Sequence, residues 1–158
     1  MSELSHVDNN NNPTMVDVSS KEISQRVATA VGEVWLPENI CKLFDGEDIN
    51  SKKGPVFQTA IIAGVMGIKN TSNLIPFCHQ LNIESIKINI ELHGQIAKIV
   101  ATVKNSGKTG VEMEALVGVQ IAALTIYDMC KALSQEIEIR NCHLLMKKGG
   151  KSDYAKRQ

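Results

Sequence analysis

A chain of 158 residues has room for one ordinary domain, not for two enzyme domains joined by a linker. Its composition, 43% hydrophobic and 22% charged, suits a packed interior and excludes wholesale disorder, while 4% aromatics make that interior aliphatic. Seventeen basic residues offset seventeen acidic ones, so no global field favours nucleic acid or an anionic membrane, and any anion must be gripped locally.

In chain order, residues 1–14 are polar and include Asp8-Asn9-Asn10-Asn11-Asn12-Pro13, which reads as a flexible arm. They carry neither the basic nor the apolar region of a secretory signal, and the protein is expected in the cytoplasm. Over Arg26–Leu36, Val27, Thr29, Val31, Glu33 and Trp35 alternate with Ala28, Ala30, Gly32, Val34 and Leu36; this predicts a strand, although Ser19–Ala30 also fits a helix. Pro37 opens a short helix over ENICKLF, closed by Asp45-Gly46. After the polar loop 47–55, VFQTAIIAGVMGIKN returns apolar residues at helical spacing, and Ala60, Ala63, Gly64 and Gly67 leave space for another backbone. Ile86, Ile88, Ile90 and Leu92 alternate with polar residues, turn at His93-Gly94 and continue as IAKIVATVK, a β-hairpin. A glycine-rich connection, 105–110, leads to a long helix, Glu112–Leu133, and EIEIRNCHLLMK supplies a last strand. The apolar run Ala115–Tyr127 is shorter than the ~20 residues of a membrane span, so no membrane partner is expected. Residues 149–158 form a polar, basic tail, expected to be mobile.

The order β-α-α-β-β-α-β, with right-handed crossovers, predicts an α+β fold: a ferredoxin-like antiparallel sheet with helices packed on one face, in a single domain over 15–148. Fold does not give function, which must come from the reactive residues.

Four widely separated cysteines, Cys41, Cys78, Cys130 and Cys142, read as free thiols, and His6, His93 and His143 have no ligand spacing, so no metal is expected. Ser106-Gly107-Lys108-Thr109 ends like a phosphate-binding loop, but Thr102 stands where that motif needs glycine. The turn still offers backbone N–H groups, a cation and a hydroxyl to an anion, and reads equally as a plain strand-to-helix connection. Asp128 and Lys131, three apart on an otherwise apolar helix, share a face with Thr125. On a solvated surface such a pair is worth little; in a core or cleft the two charges must pair, and their proton affinities become tunable. Pro76-Phe77-Cys78-His79 sits in a connection, where functional side chains are often displayed, although a lone histidine is more often structural than catalytic. Lysines 52, 53, 69, 108, 147, 148 and 151 punctuate the connections, either as solvation or as a cage for phosphate groups.

The strings Met15-Val16-Asp17-Val18, Lys53-Gly54-Pro55-Val56, Leu74-Ile75-Pro76-Phe77-Cys78-His79, KTGVEMEAL from Lys108, ALTIYDMCKA from Ala123, and Lys147 with Gly149-Gly150-Lys151-Ser152 closely resemble the MoaC family, the cyclic pyranopterin monophosphate synthases. The resemblance runs from Met15 to Ser152. It implies a lyase that converts 3′,8-cyclo-7,8-dihydroguanosine 5′-triphosphate to cyclic pyranopterin monophosphate and pyrophosphate in molybdenum cofactor biosynthesis, with no cofactor. By motif, it implies Asp128 as acid/base, Lys131 as its partner and Lys53 as a second essential lysine. Phe77, Cys78, His79, Met113 and Glu114 would contact substrate, with Glu112, Arg26, Lys69 and Lys147 around them. The family usually has proline where this chain has Gln80, and glycine where it has Asp153. Glu112 and Asp128, sixteen residues apart, would stand ~24 Å apart on a continuous helix, so the expected pocket is shared between subunits. The hexamer implied by the resemblance, a trimer of dimers, is compatible with that. A non-catalytic nucleotide- or pterin-binding module is the alternative.

Overall fold

The computed structural model describes residues 7, 8 and 10–157 of the chain. Residues 1–6 and 9, which include His6 and much of the expected arm, lie outside the described residues. The elements are β1 (Ser24–Trp35), α1 (Glu38–Cys41), β2 (Asn50–Ser51), β3 (Gly54–Pro55), α2 (Val56–Lys69), α3 (Thr71–Leu74), β4 (Ser85–His93), β5 (Ile96–Gly107), α4 (Glu112–Cys130), β6 (Glu138–Lys148) and β7 (Tyr154–Ala155). The main sheet has the order β4-β5-β1-β6-β7, with every neighbouring pair antiparallel. Leaving out β7, that is the order a ferredoxin-like split β-α-β pair produces: β5 lies between β4 and β1, and β1 between β5 and β6.

Alternation along β1 decides which side the helices take. Ala28, Ala30 and Val34 are fully buried against the helical layer, together with Ile99, Ala101 and Val103 of β5. The helical reading of Ser19–Ala30 loses because alternating residues match both faces of a sheet, and β1 pairs with β5 along its whole length, from Ser24↔Gly107 to Trp35↔Ile96. Helices α2 and α4 cover this face, and they come close because both carry glycine at the crossing. A Cβ at Gly64 would lie 3.0 Å from the Gly118 carbonyl oxygen, and one at Gly118 2.6 Å from Ile68.

Three details depart from the expected elements. The loop 47–55 contains a tight hairpin, β2–β3. Helix α4 ends at Cys130, three residues early, with Lys131 as its C-cap. Within the tail, Tyr154–Ala155 pair with Met146 and Lys147 of β6. By length and composition α4 is apolar enough to cross a membrane, which the thirteen-residue run did not suggest. Its place between α2 and the sheet accounts for the same apolarity, since Ala115, Val119, Ala122, Ala123 and Ile126 are all core.

Candidate functional site

Antiparallel register gathers one group of charges at one end of the sheet. Arg26 enters β1 opposite Asn105, while Lys147 and Lys148 leave β6 opposite Ala28 and Val27, so the start of one strand meets the ends of two others. The loop 108–110 and the first turn of α4 close over this end. The result is a cleft of about 560 Å³ lined by Arg26, Phe77, Cys78, His79, Glu112, Met113, Glu114 and Lys147, all candidate residues. Lys21, Lys108, Lys148 and Lys151 line it too. Lys108, Lys148 and Lys151 belong to the loop lysines noted in the sequence; Lys21 lies in an irregular stretch with no signal to mark it.

The cleft is strongly cationic yet keeps two carboxylates. The Glu112 carboxylate pairs with Lys147 at 3.0 Å. Arg26 ties the loop down, its Nε donating to the Gly107 carbonyl at 3.2 Å and its Nη2 to the Lys108 carbonyl at 3.4 Å. Lys108 Nζ donates to the Ser19 carbonyl at 2.5 Å. His79 Nε2 lies 2.8 Å from the Val16 carbonyl oxygen; a carbonyl only accepts, so this nitrogen carries the proton. Gln80 does not free the histidine, because that bond holds the ring from outside the loop. Glu114 is 3% exposed, and burial raises its carboxyl above the ordinary range, with Glu112 adding to the shift. Burial, then Glu114, pushes the Cys78 thiol up, so it is no thiolate nucleophile at neutral pH. A second, smaller cleft of about 350 Å³ shares His79 and Glu114 and takes in Lys69 and Gln80.

Asp128, Lys131 and Lys53 stand apart from both clefts, at the far end of α4. Lys131 Nζ is 2.7 Å from Asp128 Oδ1, and Lys53 Nζ is 3.1 Å from Oδ2 and 3.0 Å from the Asp128 carbonyl oxygen. Lys53 arrives from the β2–β3 hairpin, whose turn needs glycine at 54, where φ is +111°. The group is about half-exposed within one chain, Asp128 at 56%, rather than buried as a core pair would be. Lys131 first, and Lys53 second, hold the Asp128 carboxyl below the usual carboxylate range. Asp128 in turn keeps the Lys131 ammonium protonated beyond its ordinary value. This settles which of burial and the neighbouring carboxylate wins at Lys131: the carboxylate does. Among the described residues, no three of His, Cys, Asp and Glu gather to hold a metal ion.

Fold and charges together define a ferredoxin-like α+β domain with a cationic cleft at one end of its longest helix and a lysine–aspartate–lysine cluster at the other. The MoaC family model matches residues 15–150. Over 151 residues the chain is 48% identical to a cyclic pyranopterin monophosphate synthase of Xanthomonas campestris pv. campestris, covering 95% of this chain and 92% of the relative. It is 49% identical over 152 residues to one of Campylobacter jejuni, covering 95% and 96%. A molybdenum cofactor biosynthesis bifunctional protein of Synechocystis is 50% identical over 155 residues, and there the match spans 45% of the longer chain. The chain belongs to the MoaC family.

Proposed function

We propose that the protein is a phosphorus–oxygen lyase of molybdenum cofactor biosynthesis, converting 3′,8-cyclo-7,8-dihydroguanosine 5′-triphosphate into cyclic pyranopterin monophosphate and pyrophosphate. The observation that carries the chemistry is the Asp128 carboxylate held between the Lys131 and Lys53 ammonium groups at 2.7 and 3.1 Å. A carboxylate of lowered proton affinity is ionised at neutral pH and ready to accept; a lysine of raised affinity is protonated and ready to donate. Ring opening and reclosure need both kinds of transfer. Closing the cyclic phosphate forms one phosphorus–oxygen bond at the α-phosphorus and breaks the one to the departing pyrophosphate, and the negative charge this moves is matched by ammonium groups.

The cationic cleft suits the triphosphate end: Arg26 and Lys147 with Lys108, Lys148 and Lys151 as point charges, and Glu112, Met113, Glu114 and the Phe77-Cys78-His79 loop around the ring system. Lys69 serves from the adjoining cleft.

Cleft and catalytic cluster sit at opposite ends of α4, ~24 Å apart at 1.5 Å per residue, too far for one compact ring system to touch both. The site is therefore shared: one protomer gives its Glu112 end and a partner its Asp128 end. Outward-facing Ile62 and Met66 on α2 and Leu124 on α4 give a second copy apolar surface to cover. A homohexamer built as a trimer of dimers satisfies this arrangement, in the cytoplasm, with 15–148 as the catalytic domain, 1–14 as a flexible arm and 149–158 as a tail that brings Lys151 to the cleft.

The direct test incubates purified protein with the cyclic dihydroguanosine triphosphate and measures pyrophosphate. One pyrophosphate per pterin product is expected. Tight binding without release would replace this reading with the binding module.

A further inference from the structure

Helix α2 begins without a cap of its own. Its N-cap position is Pro55, which makes no side-chain capping hydrogen bond, yet the first amides of a helix need acceptors. Asp48, seven residues earlier and only 6% exposed, supplies them from across the hairpin. Its Oδ1 accepts from the Phe57 amide at 2.7 Å and its Oδ2 from the Gln58 amide at 3.0 Å. Oδ1 also accepts from the Ile49 amide at 2.6 Å, and the Ile49 carbonyl takes the Val56 amide at 3.0 Å. The carboxylate thus bonds the second and third amides of α2, at the positive end of its dipole.

What this fastens is the base of the loop that carries Lys53. The chain leaves Asp48, makes β2, turns through Lys52-Lys53, returns as β3 and enters α2, so the Asp48–α2 bonds close the loop at its root. Ser51 stiffens the tip: its Oγ accepts from the Lys53 amide at 3.1 Å and donates to the Gly54 carbonyl at 3.0 Å. From there Lys53 reaches Asp128.

We propose that Asp48 is a positioning residue for the reaction: by capping α2 across the hairpin in place of Pro55, it sets where the Lys53 ammonium stands against Asp128. Asp48 lines neither cleft, and it acts through the loop alone. The inference rests on the reading of Lys53 and Asp128 as site residues, so its test must separate the two.

The test compares Asp48→Ala with Lys53→Ala in the full chain by following the Asp128 carboxyl titration by NMR, without substrate. Removing the Lys53 ammonium raises the Asp128 pKa toward the ordinary carboxylate value, because Lys53 is one of the two groups holding it down. Asp48→Ala is expected to raise it in the same direction while the protein stays folded; simple loss of stability does not move a titration measured on folded molecules. Asp48→Ala/Pro55→Asp returns a carboxylate to the N-cap and is expected to restore the low value. If Asp48→Ala does not fold, Asp48→Asn keeps the Oδ1 acceptor, loses the charge, and is expected to raise the titration by a smaller amount. With substrate, kcat of the Ala variant should fall about 10–100-fold with KM little changed, the signature of a displaced group rather than lost binding. An unmoved Asp128 titration in a folded Asp48 variant overturns the proposal whatever the turnover. Unchanged turnover in Lys53→Ala overturns the site reading instead, and the titration still decides whether Asp48 places Lys53.

Discussion

The two ends of α4 hold charge in opposite ways. At its start, Glu114 is buried and its carboxyl is pushed up, while Glu112 is partly covered and paired with Lys147. At its end, Asp128 is half-exposed and its carboxyl is pulled down by two ammonium groups. Desolvation governs the first and Coulomb attraction the second, so one rod presents a carboxyl that retains its proton and another that sheds it. The difference suits a division of labour in which the start binds and the end moves protons. Each variant below breaks one side of that division.

The largest effect is expected at the proton-moving end. Asp128→Asn keeps the shape and the hydrogen bonds but loses the acceptor, so kcat should fall by roughly 10²–10⁴ while substrate still binds. Calorimetric titration beside a pyrophosphate assay reads both. Unchanged turnover would remove Asp128 from the mechanism and leave the cluster an ordinary surface ion pair.

Mixing tests whether the two ends work together. Asp128→Ala and Glu112→Ala chains should each be nearly inactive alone, yet co-assembled chains should regain up to about a quarter of wild-type turnover, the share of shared sites that random assortment leaves intact. No recovery in mixed oligomers verified by mass spectrometry would mean that each chain carries a complete site.

Much of this architecture is legible in the sequence, because periodicity reports burial directly. Alternation through Ala28, Ala30 and Val34 marks a half-buried strand, and the apolar α4 marks a core helix. Conversely, β2–β3 and β7 escape notice because two-residue strands have no period to display. Phe77-Cys78-His79, Glu112, Met113 and Glu114 are found through contiguous motifs, and the structure brings them into one cleft with Arg26 and Lys147. Lys21 and Asp48 are not found. One joins the cleft through an irregular segment; the other caps a helix nine residues away, a contact that no local pattern encodes. The burial expected of the Asp128–Lys131 pair also could not be read from an apolar helix, since both residues lie at its frayed end, facing water.

At the binding end, effects should fall on KM. Lys147→Ala removes a cation from the cleft and leaves the Glu112 carboxylate without its partner at 3.0 Å, so the site loses attraction for phosphate and gains repulsion. A charge-assisted bond of about 1.5–3 kcal/mol corresponds to a rise in KM of roughly 10–100-fold, with kcat little changed. The salt dependence of KM should weaken in the variant, because one screened contact is gone. A fall in kcat at constant KM would instead place Lys147 with the proton-moving groups.

The smallest effect concerns Glu114, where the sign of the pH dependence separates desolvation from ion pairing. Its carboxyl is raised above 4.5 by burial, so the folded chain binds that proton more tightly than the unfolded chain does. The stabilisation is complete below 4.5 and is lost as pH rises through the raised value, because ionising a buried carboxyl favours the unfolded state. An Asp128-like carboxylate behaves the other way, stabilising above its ordinary pKa and losing that contribution as pH falls. Glu114→Gln has nothing to ionise. Its Tm relative to wild type should therefore climb, by a few degrees at most, as pH increases upward from about 4.5. A relative Tm that instead falls over this range would mean that the cleft's cations, rather than burial, govern Glu114, and the contrast between the two ends of α4 would collapse into one mechanism.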